Sequence, residues 1–193
     1  MAKLYFKFGA MGCSKTAQAL ITKFNYEERN MKVLLLKPAI DNRDGVNTVK
    51  SRIGLQQEAI SVRENENLYE RYCNEYSDCN VIIVDECQFL TPEQVDQLSD
   101  IVIQKSIPVL CFGLATDFMT HLFPGSKRLF EIAESISEIK SVCTCGAKAT
   151  VNARLDDNGN IVTEGSQVCI GGNDRYMAMC RRCWLKRCSR ISS

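Results

Sequence analysis

Residues Gly9-Ala10-Met11-Gly12-Cys13-Ser14-Lys15-Thr16 carry the spacing of a phosphate-binding loop. The pattern G-x-x-x-x-G-K-[ST] grips phosphate for a physical reason. Successive backbone N–H groups and a helix N-terminus converge on one spot, the Lys adds a point charge, and the hydroxyl joins the Mg²⁺ shell. Lys15 falls where it would sit between β- and γ-phosphates, and Thr16 where it would meet the metal. Ser14 stands where the pattern has Gly. If that position needs positive φ or a close backbone approach, Ser costs about 1 kcal/mol relative to Gly. Gly12 lends some freedom two residues earlier without replacing it.

A second group of residues could work with the first. Val81-Ile82-Ile83-Val84 is an apolar run ending in Asp85-Glu86, the Walker B arrangement. A strand there aims Asp85 at Mg²⁺ and leaves Glu86 placed to polarise an attacking hydroxyl or water. Either motif alone can be chance, an ordinary strand–turn–helix or an acidic strand end. Together they indicate a nucleoside triphosphate site.

The third group is sulfur. Cys143-Thr144-Cys145 and Cys180-Arg181-Arg182-Cys183 form two close pairs, and four thiolates make a closed, structural zinc site. Such a site would tie the ends of segment 146–179 into a loop. The alternative is four reduced, buried thiols. Of the other cysteines, Cys73, Cys79, Cys87, Cys111, Cys169 and Cys188 read as small core residues. Cys13 is the exception, because it would lie inside the nucleotide site, open to oxidation. The lone His121 reads as structural or exposed.

These groups need elements to hold them. Leu4–Phe8, Lys32–Lys37, Val81–Val84 and Pro108–Phe112 read as strands. Their continuous apolar runs suit parallel strands covered on both faces. Thr16–Tyr26 reads as a helix, with Ala19, Leu20, Lys23 and Phe24 near helical spacing. Leu68–Tyr76 reads as a short helix. Another follows Thr91-Pro92-Glu93-Gln94, which supplies an N-cap, a proline at the first helical position and a capping-box Gln. Strands alternating with helices define an α/β sheet with right-handed crossovers. Asp41–Leu55 is polar, holds Gly45, Gly54, Arg43, Lys50 and Arg52, and reads as a mobile loop or hairpin.

The chain has 193 residues, and its apolar fraction of 45% is enough for a proper core. Composition shifts near Ser141, so residues 1–140 form the α/β nucleotide-binding domain and 141–193 a small module of short strands. A turn falls at Asp156-Asp157-Asn158-Gly159, and the basic tail Arg181–Arg190 reads as a solvated end. A net charge of +1 provides no whole-molecule field for nucleic acid or an anionic membrane. With no signal peptide or membrane span in evidence, and eleven cysteines read as reduced thiols plus a metal site, a cytoplasmic address is expected.

Over nearly its full length the chain resembles the type II thymidine kinases. The resemblance rests on Gly9–Thr16, Asp41-Asn42-Arg43, Ser51-Arg52-Ile53-Gly54, Val84-Asp85-Glu86-Cys87-Gln88-Phe89 and Pro108-Val109-Leu110-Cys111-Phe112-Gly113-Leu114. It rests also on the four paired cysteines, and on Val168-Cys169-Ile170-Gly171-Gly172 leading to Tyr176. It implies a RecA-like P-loop parallel sheet flanked by helices, and a small C-terminal zinc-binding domain whose lasso loop closes over the nucleoside. It implies transfer of the ATP γ-phosphate to the 5′-hydroxyl of thymidine or deoxyuridine, in pyrimidine salvage for DNA synthesis. It implies Mg²⁺ with ATP, structural Zn²⁺, a homotetramer, and thymidine triphosphate as feedback inhibitor.

By the same resemblance Glu86 is the general base. The ATP site comprises Gly9, Ala10, Met11, Gly12, Cys13, Ser14, Lys15 and Thr16 with Asp85, Glu86, Cys87 and Gln88. Thr16 and Asp85 serve Mg²⁺, and Asp41 and Arg43 lie near the reacting phosphate. Phe89 and Tyr176 pack on the thymine, although plain core packing would also account for each. Backbone groups at Gly171 and Cys169 read the base, Leu114 and Phe118 wall the pocket, and Met11 lies near the sugar. Cys143, Cys145, Cys180 and Cys183 hold zinc. Ser14 and Cys169 depart from the usual family residues. Two other readings remain: a catalytically impaired nucleotide-binding protein, suggested by Ser14, and a P-loop ATPase whose zinc module grips nucleic acid. The second calls for a basic stripe with interleaved aromatics, and segment 146–179 is poor in aromatics.

Overall fold

The computed structural model describes residues 1–41, 45–167 and 176–188. The chain begins β1 (Leu4–Phe8), α1 (Lys15–Glu27), β2 (Val33–Pro38), β3 (Thr48–Lys50), β4 (Gln56–Glu58), β5 (Ile60–Val62), α2 (Leu68–Glu75) and β6 (Val81–Val84). A 3-10 turn (Cys87–Phe89) leads to α3 (Pro92–Lys105), β7 (Val109–Gly113), α4 (Pro124–Ile132) and β8 (Ser135–Glu138). Then come β9 (Val151–Leu155), β10 (Ile161–Val162), β11 (Tyr176–Met179) and α5 (Arg181–Arg187).

Six strands form one parallel sheet in the order β5-β2-β6-β7-β1-β8. The apolar runs alternate between its two faces. Leu4, Phe6, Leu34, Leu36, Ile82, Val84, Val109 and Cys111 share a core with Leu68 and Tyr72 of α2 and Val95, Leu98, Ile101 and Val102 of α3. Leu35, Val81, Ile83, Leu110 and Phe112 meet Ala19 and Leu20 of α1 on the other side. Burial on both faces is what makes these runs continuous rather than alternating. The capping box at Thr91 and Gln94 forms in full.

The structure adds detail to several elements and departs from the sequence reading at the C-terminal tail. Phe24, four residues on from Leu20, lies in the last turn of α1 and is 58% exposed. Of the two readings of Asp41–Leu55, the hairpin is the one that forms: it supplies β3 and the turn to β4. The tail is not simply a solvated end: Arg181–Arg187 is α5, and its Trp184 is buried beside Cys143 and Cys180. Three elements carry no strong sequence signal. They are β5, α4 and the edge strand β8, which extends the sheet by backbone pairing to β1 with its side chains largely exposed.

β7 separates β1 from β6, the RecA-like arrangement, so the phosphate loop and the acidic pair rise from the same sheet edge with one strand between. A second antiparallel sheet, β10-β9-β11, stands on the phosphate-loop side and shares a core with Ala10. Among the described residues no helix is long and apolar enough to cross a membrane.

Candidate active site

The loop leaving β1 is tightly built. A Cβ on Gly9 would stand 2.4 Å from the Ile139 carbonyl oxygen, so only glycine lets the strand end lie there. Gly12 has φ 76°, and Ser14 has φ 65° and ψ 28°, squarely left-handed. Ser14 therefore occupies the conformation its position was expected to demand. It is also the N-cap of α1, yet its side chain makes no capping hydrogen bond. Lys15 is 8% exposed and folds back on its own loop, donating to the carbonyls of Gly9 (3.0 Å) and Ala10 (2.9 Å). Cys13 corrects an expectation. Its thiol is buried against Gly9, 3.7 Å from Lys15 Nζ, and does not line the cavity.

Asp85 follows β6 and is 4% exposed. The Thr16 hydroxyl stands beside its carboxylate. Burial first, and Glu86 second, push the Asp85 carboxyl up to about 7, while Thr16 and Lys15 oppose that rise. A buried carboxylate beside a Thr hydroxyl, short of positive charge, is a donor set that fits a hard divalent cation. Glu86 sits at φ 53° and ψ 38°, a conformation non-glycine residues rarely hold without some gain elsewhere. Gln88 Nε2 donates to Glu86 Oε2 at 2.6 Å, and the Leu114 N–H donates to Gln88 Oε1 at 3.0 Å. Gln88, 1% exposed, thus holds the Glu86 carboxylate against the β7 strand end. Cys87 does not reach the cavity: its thiol is fully buried in the core against Gly113.

These groups share one cavity of about 300 Å³. Its polar end holds Gly12, Ser14, Lys15, Thr16, Asp41, Asp85 and Glu86, with Lys50 and Arg52 reaching in from the hairpin. Arg52 Nη1 lies 3.5 Å from where a Cβ on Gly12 would be, directly over the loop. Asp41 is nearly buried, with Lys37 Nζ 3.9 Å from its carboxylate. Its aromatic end is lined by Phe89, Leu114, Phe118, Phe123 and Tyr176, and Met11 lines the cavity from the phosphate loop. Phe89 meets Phe123 edge-on at 5.6 Å. Arg43, Cys169 and Gly171 lie outside the described residues.

Several side chains that organise the aromatic end went unnoticed in the sequence. Arg154 stacks its guanidinium 3.8 Å from the Phe118 ring centroid and donates to the Tyr176 hydroxyl at 3.0 Å. It also donates to the Ser166 carbonyl. Asp117 accepts from the N–H groups of Met119 and His121, and Gln167 Nε2 donates to its other oxygen. Isolated polar residues in short strands and loops carry no spacing signature, and the Arg154–Tyr176 and Gln167–Asp117 contacts are distant in sequence.

Below the aromatic end the sulfurs of Cys143, Cys145, Cys180 and Cys183 all lie within 4.8 Å of one another. Tetrahedral zinc coordination asks for about 3.8 Å between sulfurs, from metal–sulfur bonds of about 2.3 Å. Cys145 and Cys180 already stand 3.6 Å apart. Backbone N–H groups of Cys145 and Cys180 bring the Cys143 thiol down to about 6, toward the thiolate a metal needs. The set could hold a structural metal ion.

Comparison with known proteins agrees with this geometry. A family model described as thymidine kinase matches residues 2–184. A thymidine kinase of Vibrio vulnificus is 47% identical over 184 residues, covering 94% of this chain and 96% of its own. One from Haemophilus influenzae is 45% identical over 194 residues, covering 99% and 100%. One from Legionella pneumophila is 48% identical over 187 residues, covering 94% and 88%. With a match of that extent, over a phosphate loop and acidic strand end that face one cavity, the chain belongs to the thymidine kinase family.

Proposed function

We propose that this protein transfers the γ-phosphate of ATP to the 5′-hydroxyl of thymidine, and of deoxyuridine, releasing the monophosphate in pyrimidine salvage. The observation that carries this reading is the single cavity that joins the Lys15–Thr16–Asp85–Glu86 cluster to an aromatic-lined end. Phosphoryl transfer needs chiefly positioning and charge stabilisation, and the two ends supply each.

In this reading Glu86 takes the proton from the 5′-hydroxyl. Gln88 fixes its carboxylate, and the left-handed backbone at Glu86 turns it into the cavity. Lys15 leaves the carbonyls of Gly9 and Ala10 for the phosphate oxygens, and Arg52 lies over the loop within reach of the same charge. Thr16 and Asp85 would hold Mg²⁺, which when bound neutralises phosphate charge. Met11 lies toward the sugar and Asp41 toward the phosphates. Phe89 and Tyr176 clasp the pyrimidine, with Leu114 and Phe118 as walls, and Arg154 keeps the Tyr176 ring in place. The four cysteines would hold zinc and fix the base-binding module, taken as residues 141–193. The family resemblance is also the support for reading the protein as a cytoplasmic homotetramer inhibited by thymidine triphosphate.

The test is direct. Purified protein is incubated with ATP, Mg²⁺ and thymidine, and thymidine monophosphate is followed by chromatography. Product formation dependent on all three is expected. ATP hydrolysis without nucleotide product would overturn the assignment and favour an ATPase, and no turnover despite ATP binding would favour an impaired enzyme.

A further inference from the structure

Three consecutive residues of β9, Val151, Asn152 and Ala153, are buried, and the middle one is an amide only 4% exposed. Burying an amide is unfavourable unless its polar atoms find partners. Asn152 lines the cavity, yet both polar atoms of its amide are taken up by partners far away in sequence. Its Oδ1 accepts from the Met11 N–H at 2.7 Å, and its Nδ2 donates to the Thr116 carbonyl at 3.1 Å. A carbonyl faces one end and an N–H the other, so only one orientation of the amide satisfies both.

The partners give this contact its meaning. Met11 lies in the phosphate loop, between Ala10 and the left-handed Gly12. Thr116 belongs to the segment after β7 that carries Leu114 and Phe118 into the aromatic end. One strand over, β11 pairs with β9 and brings Tyr176 opposite Arg154. A single side chain of the small module is therefore bonded at once to the loop that meets phosphates and to the wall that meets the base. Neither bond is required to seal the core, because the flanking Val151 and Ala153 do that with apolar groups.

We propose that Asn152 is a positioning residue that couples nucleoside binding to the geometry of the phosphate loop. Seating a base against Tyr176 and Phe118 loads the β9–β11 module, and Asn152 passes that restraint to Met11. The loop is then held in register with Glu86 across the cavity. Such a residue acts on the transfer step more than on the binding of either substrate alone, because misalignment of the reacting groups by a fraction of an ångström slows the reaction steeply. The inference rests on the reading of the cavity as a phosphoryl-transfer site.

The experiment uses Asn152→Leu and Asn152→Ala in the full chain, assayed well below their melting temperatures. Steady-state kinetics measures kcat and both KM values. Calorimetry measures the affinity of a non-hydrolysable ATP analogue with and without saturating thymidine. The expected result is a fall in kcat of about tenfold or more, both KM values within about threefold of the parent, and loss of the coupling between the two ligands. Should the Leu variant fail to fold, the Ala variant decides alone, and Asn152→Asp supports it. The Asp variant keeps an acceptor for the Met11 N–H but sets a carboxylate oxygen against the Thr116 carbonyl, so it too should lose kcat and the coupling between ligands. Parental kcat in the Ala variant, or no coupling in the parent protein, would overturn the proposal. Absence of thymidine monophosphate from the parent would sink the functional reading instead, and the coupling measurement would still judge Asn152.

Discussion

Replacing Ser14 by glycine should stabilise the ligand-free protein, and the structure says by how much. Ser14 sits at φ 65° and ψ 28°. A residue with a Cβ costs roughly 1–2 kcal/mol there. Glycine removes that cost but adds about 0.5–1 kcal/mol of conformational freedom to the unfolded chain. No other loss enters, because the Ser14 hydroxyl makes no capping bond to α1. The net gain is about 0.5–1 kcal/mol, or about 1–4 °C in Tm for a chain of 193 residues. The control is Ser14→Ala, which keeps the Cβ and the strain and should stay within about 0.5 kcal/mol of the parent. Urea denaturation and thermal melts of all three proteins without ligand are the assay. If Ser14→Gly is no more stable than Ser14→Ala, the strain argument is wrong. ATP affinity answers a separate question. A left-handed turn in both free and bound loops drops out of the binding equilibrium. Any change would then report the Ser14 side chain, which lines the cavity.

Three further outcomes follow from the site. Glu86→Gln should lower kcat by about 10²–10⁴ while thymidine affinity changes less than about threefold, and turnover at the parental rate would remove Glu86 as general base. Asp85 has its carboxyl pushed up to about 7 when folded, against about 3.9 unfolded. Between those values the folded protein binds more protons, so ligand-free stability should fall as pH rises from about 4 to about 7 and then level off. Asp85→Asn should flatten that slope, melt above the parent at pH 8, and lose Mg²⁺-dependent turnover; parallel pH–Tm curves would contradict the assignment. Stripping metal with a chelator should red-shift the emission of Trp184, the single tryptophan, which is buried beside Cys143 and Cys180. Unchanged emission in protein shown to be metal-free would mean the module does not depend on its cysteines.

What the sequence alone determined is whatever is encoded within a few neighbouring residues. The turn from β1 into α1 needs its glycines and Lys15-Thr16 at fixed spacing, so the phosphate loop was legible. The Asp85-Glu86 strand end, the capping box at Thr91 and the doubly buried strands were legible for the same reason, since backbone geometry and hydrophobic period are local. The paired cysteines were legible because metal coordination imposes short spacings. The tertiary structure alone decided what those residues face. It placed β8 at the sheet edge, where backbone pairing to β1 matters more than apolar content. It sent the thiols of Cys13 and Cys87 into packed interior, although both flank functional residues. It made Gln88 a support for Glu86, and it set Arg154 and Asn152 between elements far apart in the chain. A lone Asn in a short strand has no pattern to announce it. Its partners, Met11 and Thr116, come within reach only when the parallel sheet brings the ends of β1 and β7 side by side and the second sheet closes over them.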